Sequence, residues 1–148
     1  MMIMKTIKYL VIGALMLGFN APAVAQDNKA TIEQVSKLIK SNGSADAIKD
    51  IFKANKKNPE VLLGMGRAYF EVKDTANAAK YANLALARDK KYAKAYILLG
   101  DIAVVQDDGG KAAEWYQQAK YFDPKDPEGY FKYANILRGR SPEEAVAN

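Results

Sequence analysis

The chain has 148 residues, of which 49% are apolar and 26% charged, a balance typical of one folded domain rather than of a disordered chain. Its net charge of +5 comes from basic residues that are interspersed with acidic ones, so we expect no nucleic-acid partner. It contains no cysteine and no histidine, which excludes thiolate and imidazole nucleophiles and the zinc sites that these side chains form.

Residues 1–25 have the pattern of a secretory signal peptide. Lys5 and Lys8 give a positive start, residues 9–19 form an apolar core, and residues 23–25 read Ala-Val-Ala, a small-x-small cleavage site. A membrane anchor is the alternative, but a span needs about twenty apolar residues and this core is shorter. No cysteine follows the core, which excludes lipoprotein attachment. We therefore expect a cleaved leader and a periplasmic or secreted mature chain, with no stable membrane insertion after cleavage.

The rest of the sequence predicts a succession of α-helices, because apolar residues follow helical spacing between regularly placed breaks. A polar cap followed by Pro and Glu, a typical helix start, occurs at Asn58, at Asp126 and at Ser141. No segment alternates with period two, so we predict an all-α fold. Five predicted helices cover about residues 31–41, 44–55, 58–72, 74–88 and 92–106. A turn at 107–110 follows, then a helix that carries Trp115, and a last helix begins at about residue 126.

From residue 59 the chain repeats itself every 34 residues without a gap. Small residues recur at fixed places, which predicts close approach of paired helices, and bulky residues recur beside them. A helix pair of this kind buries its apolar face only by stacking on its neighbours. The matched positions are Leu62, Tyr96 and Tyr130; Met65, Leu99 and Tyr133; Gly66, Gly100 and Ala134; Ala78 and Ala112; and Ala85 and Ala119.

These residues resemble the tetratricopeptide repeat (TPR), a helix pair of 34 residues. The resemblance implies stacked antiparallel helix pairs in a right-handed α-solenoid; a generic helical bundle with coincidental periodicity is the alternative. Lys90 stands where the family usually has Pro, and the first pair is about three residues short at its exit. The motif residues are Leu62, Met65, Gly66, Tyr69, Ala78, Ala82 and Ala85 in one copy, and Tyr96, Leu99, Gly100, Ala103, Ala112, Tyr116, Ala119 and Pro124 in the next.

The resemblance divides the mature chain, residues 26–148, into a divergent repeat at 28–58, repeats at 59–92 and 93–126, and an incomplete repeat at 127–148. The last copy stops inside its second helix, soon after Ser141. We therefore expect the sequence to be the N-terminal part of a longer array.

The resemblance also implies a binding groove on the concave face, which the first helix of each pair lines. The implied groove residues are Leu63, Ile97 and Phe131 in one row, Arg67, Asp101 and Asn135 in the next, and Phe70, Val104 and Arg138 in a third. Three alternatives remain open here: the first row belongs to the core, Arg67 and Asp101 pair with each other, and Phe70 packs against the second helix of its own pair.

The sequence thus predicts a non-catalytic protein-interaction scaffold of the cell envelope that binds a peptide or a partner helix, without cofactor or metal. A self-associating structural component of the envelope is the alternative, because an unfinished repeat exposes apolar surface. An enzyme that cleaves envelope glycan with two carboxylates is a third hypothesis, but no carboxylate pair lies in an apolar setting that would raise a pKa.

Overall fold

The structure, a computed structural model, describes residues 27–139 and contains in this range seven α-helices and no strand. The predicted signal peptide and the helix start at Ser141 lie outside the described residues. The helices are α1 (Asn28–Lys40), α2 (Ala45–Asn55), α3 (Pro59–Glu71), α4 (Thr75–Arg88), α5 (Ala93–Val105), α6 (Gly109–Phe122) and α7 (Pro127–Gly139). The predicted all-α fold is confirmed for this part of the chain.

Polar caps fix where these helices begin. The Asn58 side chain accepts the backbone N–H groups of residues 60 and 61, and Pro59 occupies the first position of α3, as predicted. Two boundary predictions were wrong. The first helix, expected from residue 31, begins at Asn28, where the Asp27 side chain caps it. The turn expected over residues 107–110 ends earlier, and α6 begins at Gly109. The reason is Asp108, whose side chain accepts the N–H of Lys111 at 2.9 Å and caps the helix there.

The turn between the two helices has the same backbone conformation in each of the three pairs. Asn42, Lys73 and Asp107 have the positive φ values 51°, 66° and 59°. At the second of these turns, the N–H groups of Lys73 and Asp74 donate to carbonyls of the last turn of α3, as in a Schellman motif, and the other two turns show the same pattern. The turn residues therefore align the first helix pair with the others.

This alignment shows that the first pair is the shorter one. Lys73 and Asp107 are 34 residues apart, as are the starts of α3, α5 and α7, whereas Asn42 precedes Lys73 by 31. The helix α2 has 11 residues where α4 and α6 have 14 each, so the missing three residues belong to the second helix.

The core runs through the stacked pairs, with α1 on α3, α4 between α3 and α5, and α6 between α5 and α7. A Cβ atom on Gly66 would lie 3.1 Å from the carbonyl oxygen of Ala78, and one on Gly100 would lie 2.3 Å from Cε1 of Tyr116. Ala78 and Ala112 are fully buried. The prediction that small residues allow close helix approach is therefore confirmed at these positions.

Candidate functional site

The first row of implied groove residues divides into buried and exposed members. Leu63 is 3% exposed and Ile97 is 1% exposed, because each side chain joins the hydrophobic core that neighbouring helix pairs share. The prediction that these two side chains are open to a ligand is corrected: they are core residues. Phe131 is 67% exposed on α7, and within residues 27–139 no further first helix follows to cover it.

Asp101 in the second row is held by donors from two other helices. Its Oδ1 accepts the hydroxyl of Tyr116 on α6 at 2.7 Å and Nζ of Lys132 on α7 at 2.6 Å. The alternative pairing with Arg67 is wrong, since the ion pair of Asp101 is with Lys132. Lys132 Nζ also lies 3.9 Å from Oε1 of Glu128, one helical turn earlier. These bonds join α5, α6 and α7 at the edge of the core.

The Tyr116 hydroxyl stays protonated, so its hydrogen bond to Asp101 persists. Burial raises the pKa of its hydroxyl, and the hydrogen bond to Asp101 raises it further. The phenol therefore stays a donor through the neutral range, and its ring is fixed against Gly100. Asp101 accordingly serves the packing of the repeats, and its side chain is only 24% exposed.

The accessible site residues lie mainly on α5 and α7. Arg67 and Asn135 are exposed, and Val104 is 45% exposed. Phe70 is half-buried and packs against the core, in keeping with the alternative given for it. The accessible surface therefore combines two apolar side chains, Val104 and Phe131, with two polar ones.

Sequence reasoning missed two residues of this surface. Lys132 neutralises Asp101, and its spacing of four from Glu128 on one helix was the available signal for a charged pair. Val105, beside Val104, is 56% exposed, and nothing in the helical pattern distinguishes it from a core residue.

Neither a metal centre nor a membrane span is found in the part of the chain that the structure describes. Over residues 27–139, no three side chains of the His, Cys, Asp and Glu types are grouped so that they could hold a metal ion. None of the seven helices has the length and apolar character needed to cross a bilayer.

Comparison with known proteins finds similar folds among solved structures. No protein-family model and no curated protein sequence matches this chain significantly. Among solved structures, the first TPR of Spaghetti (RPAP3) bound to the HSP90 peptide SRMEEVD is similar over 84% of this chain and 96% of that one, with a TM-score of 0.62 and 24% identity. The first TPR domain of human RPAP3, determined by NMR, covers 81% and 92% with a TM-score of 0.60 and 24% identity.

A crystal structure of MamA is similar over 84% of this chain and 75% of that one, with a TM-score of 0.64 and 20% identity. Identities this low show the fold and not the partner. The chain therefore has a TPR-like all-α solenoid fold, the fold class that the resemblance to the TPR implied.

Proposed function

We propose that this chain is a non-catalytic protein-interaction scaffold of the cell envelope, which binds a peptide segment or a partner helix along its first helices. The interaction role is supported by the TPR-like fold, since the similar RPAP3 domain is bound to a peptide. The envelope location is supported by the signal-peptide pattern of residues 1–25.

The observation that carries the binding role is the exposure of Phe131 among residues 27–139. An aromatic side chain that is 67% exposed on a first helix leaves a large apolar area in water. Buried aromatic anchors supply much of the binding energy in protein interfaces. Val104 lies on the neighbouring first helix α5, and Asn135 follows Phe131 by one helical turn, so an apolar anchor on the ligand would have polar partners beside it.

The exposed apolar side chains Val104 and Phe131 favour a ligand held by apolar anchors, and Arg67 in the second row supplies one exposed cation. Lys132 is already paired with Asp101, so its charge is neutralised within the chain. The RPAP3 domain, by contrast, is bound to a peptide with three acidic residues, SRMEEVD. We therefore infer a partner segment with aliphatic or aromatic anchors and few carboxylates.

The test compares Phe131→Ala with Tyr121→Ala. Both residues are exposed aromatics, at 67% and 76%, but Tyr121 lies on the second helix α6 and serves as the matched control. Partners are recovered by cross-linking in cells and identified by mass spectrometry. We expect Phe131→Ala to reduce recovery of specific partners about tenfold, in the range of an aromatic hot spot, and Tyr121→Ala to leave it unchanged. Equal recovery with both variants would refute the groove.

The proposed export is tested separately. The N-terminal sequence of the mature protein, recovered from the envelope or the medium, should begin near Gln26. A cytoplasmic protein that retains residues 1–25 would refute the envelope location and leave the binding proposal standing.

Self-association is a second candidate function, and a specific observation favours it. Tyr130 is 45% exposed and Leu137 is 40% exposed on α7, two turns apart on one side of the helix, and the exposed Phe131 adds to this apolar surface. The molar mass, measured by light scattering across a hundredfold range of concentration, should rise if this face pairs with a second copy. A constant monomer mass would eliminate this candidate.

A further inference from the structure

A cleft of about 600 Å³ separates the second helices α2 and α4, away from the groove on the first helices. The side chains of α2 and α4 form its walls, and the C-terminal ends of α1 and α3 form its floor. Its volume lies within the range of small-ligand and peptide pockets. The cleft persists because the apolar face of α2 is only half-buried, with Ile48 and Phe52 packed against the edge of the core.

Phe52 is unusual for its position in the repeat. In the alignment fixed by the turn residues, Phe52 corresponds to Asn83 in α4 and to Gln117 in α6, which are exposed polar residues. The second helices therefore do not need an apolar side chain here for their own packing. In α2 this position instead contributes an aromatic ring to the cleft.

Three aromatic rings line the cleft as one cluster. Phe52 meets Tyr81 edge-on with 5.8 Å between ring centroids, and Tyr81 stacks on Tyr69 at 5.4 Å and 9°. Burial raises the pKa of both tyrosines, so their hydroxyls stay protonated and serve as hydrogen-bond donors at neutral pH. The cluster offers a rigid apolar surface with polar edges.

The side chains that line the cleft carry a net positive charge, with three lysines against the one carboxylate of Asp74; Asp46 and Asp50 lie on α2 but do not line it. Lys49 and Lys53 lie one turn apart on α2, and Lys80 lies on α4. Within residues 27–139, none of the salt bridges involves these three lysines. The carboxylate that lines the cleft, Asp74, is committed to the start of α4, where it accepts the backbone N–H of Asn77 at 3.0 Å and the side-chain amide at 2.7 Å.

We propose that the cleft between α2 and α4 is a second binding site, which takes an acidic peptide segment. An aromatic or aliphatic anchor of the peptide packs on Phe52 and Tyr81, and its carboxylates pair with Lys49, Lys53 and Lys80. Lys49 and Lys53 are separated by a rise of about 6 Å along α2, so they match carboxylates on successive turns of a peptide better than the single head group of an amphiphile. This site and the groove at Phe131 differ in charge and take different ligands.

The test uses the blocked peptide Ac-Glu-Glu-Leu-Phe-Glu-Glu-NH2 and the full chain with labelled isoleucine methyl groups. Ile39 and Ile48 line the cleft, whereas Ile97 and Ile136 belong to the separate core cluster of α5, α6 and α7 and serve as internal controls. We expect the peptide to shift the NMR signals of the first two methyl groups only. A peptide in which every Glu is replaced by Gln should bind at least about fivefold more weakly, because each exposed ion pair contributes up to about 1 kcal/mol.

Variants locate the binding. The double variant Lys49→Glu with Lys53→Glu should weaken peptide binding about fivefold or more, while Lys90→Glu with Lys91→Glu, the same charge change in the loop between α4 and α5, should leave it within twofold. Phe52→Asn places in α2 the residue type that α4 carries at this position and should also weaken binding.

Three results would overturn the proposal. The first is an absence of shifts at Ile39 and Ile48, and the second is an equal loss with the control pair, which would show nonspecific charge attraction. The third is displacement of the peptide by dodecanoate at lower concentration than the peptide itself requires, which would assign the cleft to a small anionic amphiphile.

Discussion

The hydrogen bond between Tyr116 and Asp101 is predicted to couple the two helices of one repeat, α5 and α6, energetically. Tyr116 is only 3% exposed, and its hydroxyl donates to the Asp101 carboxylate, which also accepts from Lys132 on α7. A hydrogen bond to a charged group contributes about 1.5–3 kcal/mol. Asp101 keeps Lys132 when the hydroxyl is removed, and water reaches its partly exposed side chain. We therefore expect Tyr116→Phe to cost about 1.5 kcal/mol of the free energy of unfolding.

Asp101→Ala should cost more, about 2–3 kcal/mol, because it leaves the buried Tyr116 hydroxyl without an acceptor and Lys132 without its carboxylate. In the double variant neither partner remains unsatisfied. The two losses should therefore not add, and the coupling energy between the sites should reach about 1 kcal/mol or more. The difference in helix propensity between Asp and Ala cancels in the cycle.

The assay is urea unfolding, followed by circular dichroism and by the fluorescence of Trp115, the one tryptophan of the chain and the neighbour of Tyr116. Coincident transitions by both probes establish that a single free energy of unfolding applies, a condition that repeat proteins do not always meet. Tyr96→Phe is the control, since its hydroxyl donates to the exposed carbonyl of Lys90 and should contribute about 0.5–1 kcal/mol. A coupling energy below about 0.5 kcal/mol would refute the reasoning.

Five further predictions concern stability and local opening. Gly100→Ala should destabilise the chain by about 1–3 kcal/mol in urea, because its Cβ would overlap the Tyr116 ring, whereas Gly109→Ala, with open space around it, should cost nothing. Asp74→Ala should cost about 1 kcal/mol through loss of the cap of α4, and Asp74→Asn much less.

Hydrogen bonds from the backbone and side chain of Asn77 lower the pKa of Asp74. The stability that the ionised carboxylate contributes is therefore present above pH 3.8 and is lost as the pH falls further. In an acid titration, Asp74→Asn should lack this contribution to the loss of the free energy of unfolding. The raised pKa of Tyr116 contributes stability below pH 10.0 that is lost at higher pH, so Tyr116→Phe should unfold less steeply in alkali. Hydrogen exchange of backbone amides should be faster in α2 than in α4, because Asn55 is the one buried residue of α2, whereas α4 has four.

The fold followed from the sequence because its signals are local and repeated. Caps such as Asn58 satisfy backbone donors within three residues, and small residues such as Gly66 recur where two helices touch. Both signals depend on the helix pair itself. The spacing of apolar residues therefore predicts the helices, and the period of 34 predicts their stacking.

The candidate site could be predicted only in part, because accessibility depends on what the next pair covers. Leu63, Ile97 and Phe131 occupy the same place in three repeats, yet the first two are buried and the third is exposed. Likewise, Asp101 bonds to a tyrosine and a lysine that lie 15 and 31 residues further on. Neither partner follows from the spacing within one helix.

The cleft beside α2 lay beyond sequence reasoning for a different reason. Alignment of the first pair with the others was uncertain until the left-handed residues Asn42, Lys73 and Asp107 fixed it, and only that alignment reveals Phe52 as an aromatic residue where the other second helices carry polar ones. A repeat protein tolerates such a departure because each pair contacts only its neighbours. In the divergent first pair, a new binding surface therefore disturbs the packing of the other repeats least. The lysines around Phe52 indicate that the ligand of this surface is negatively charged.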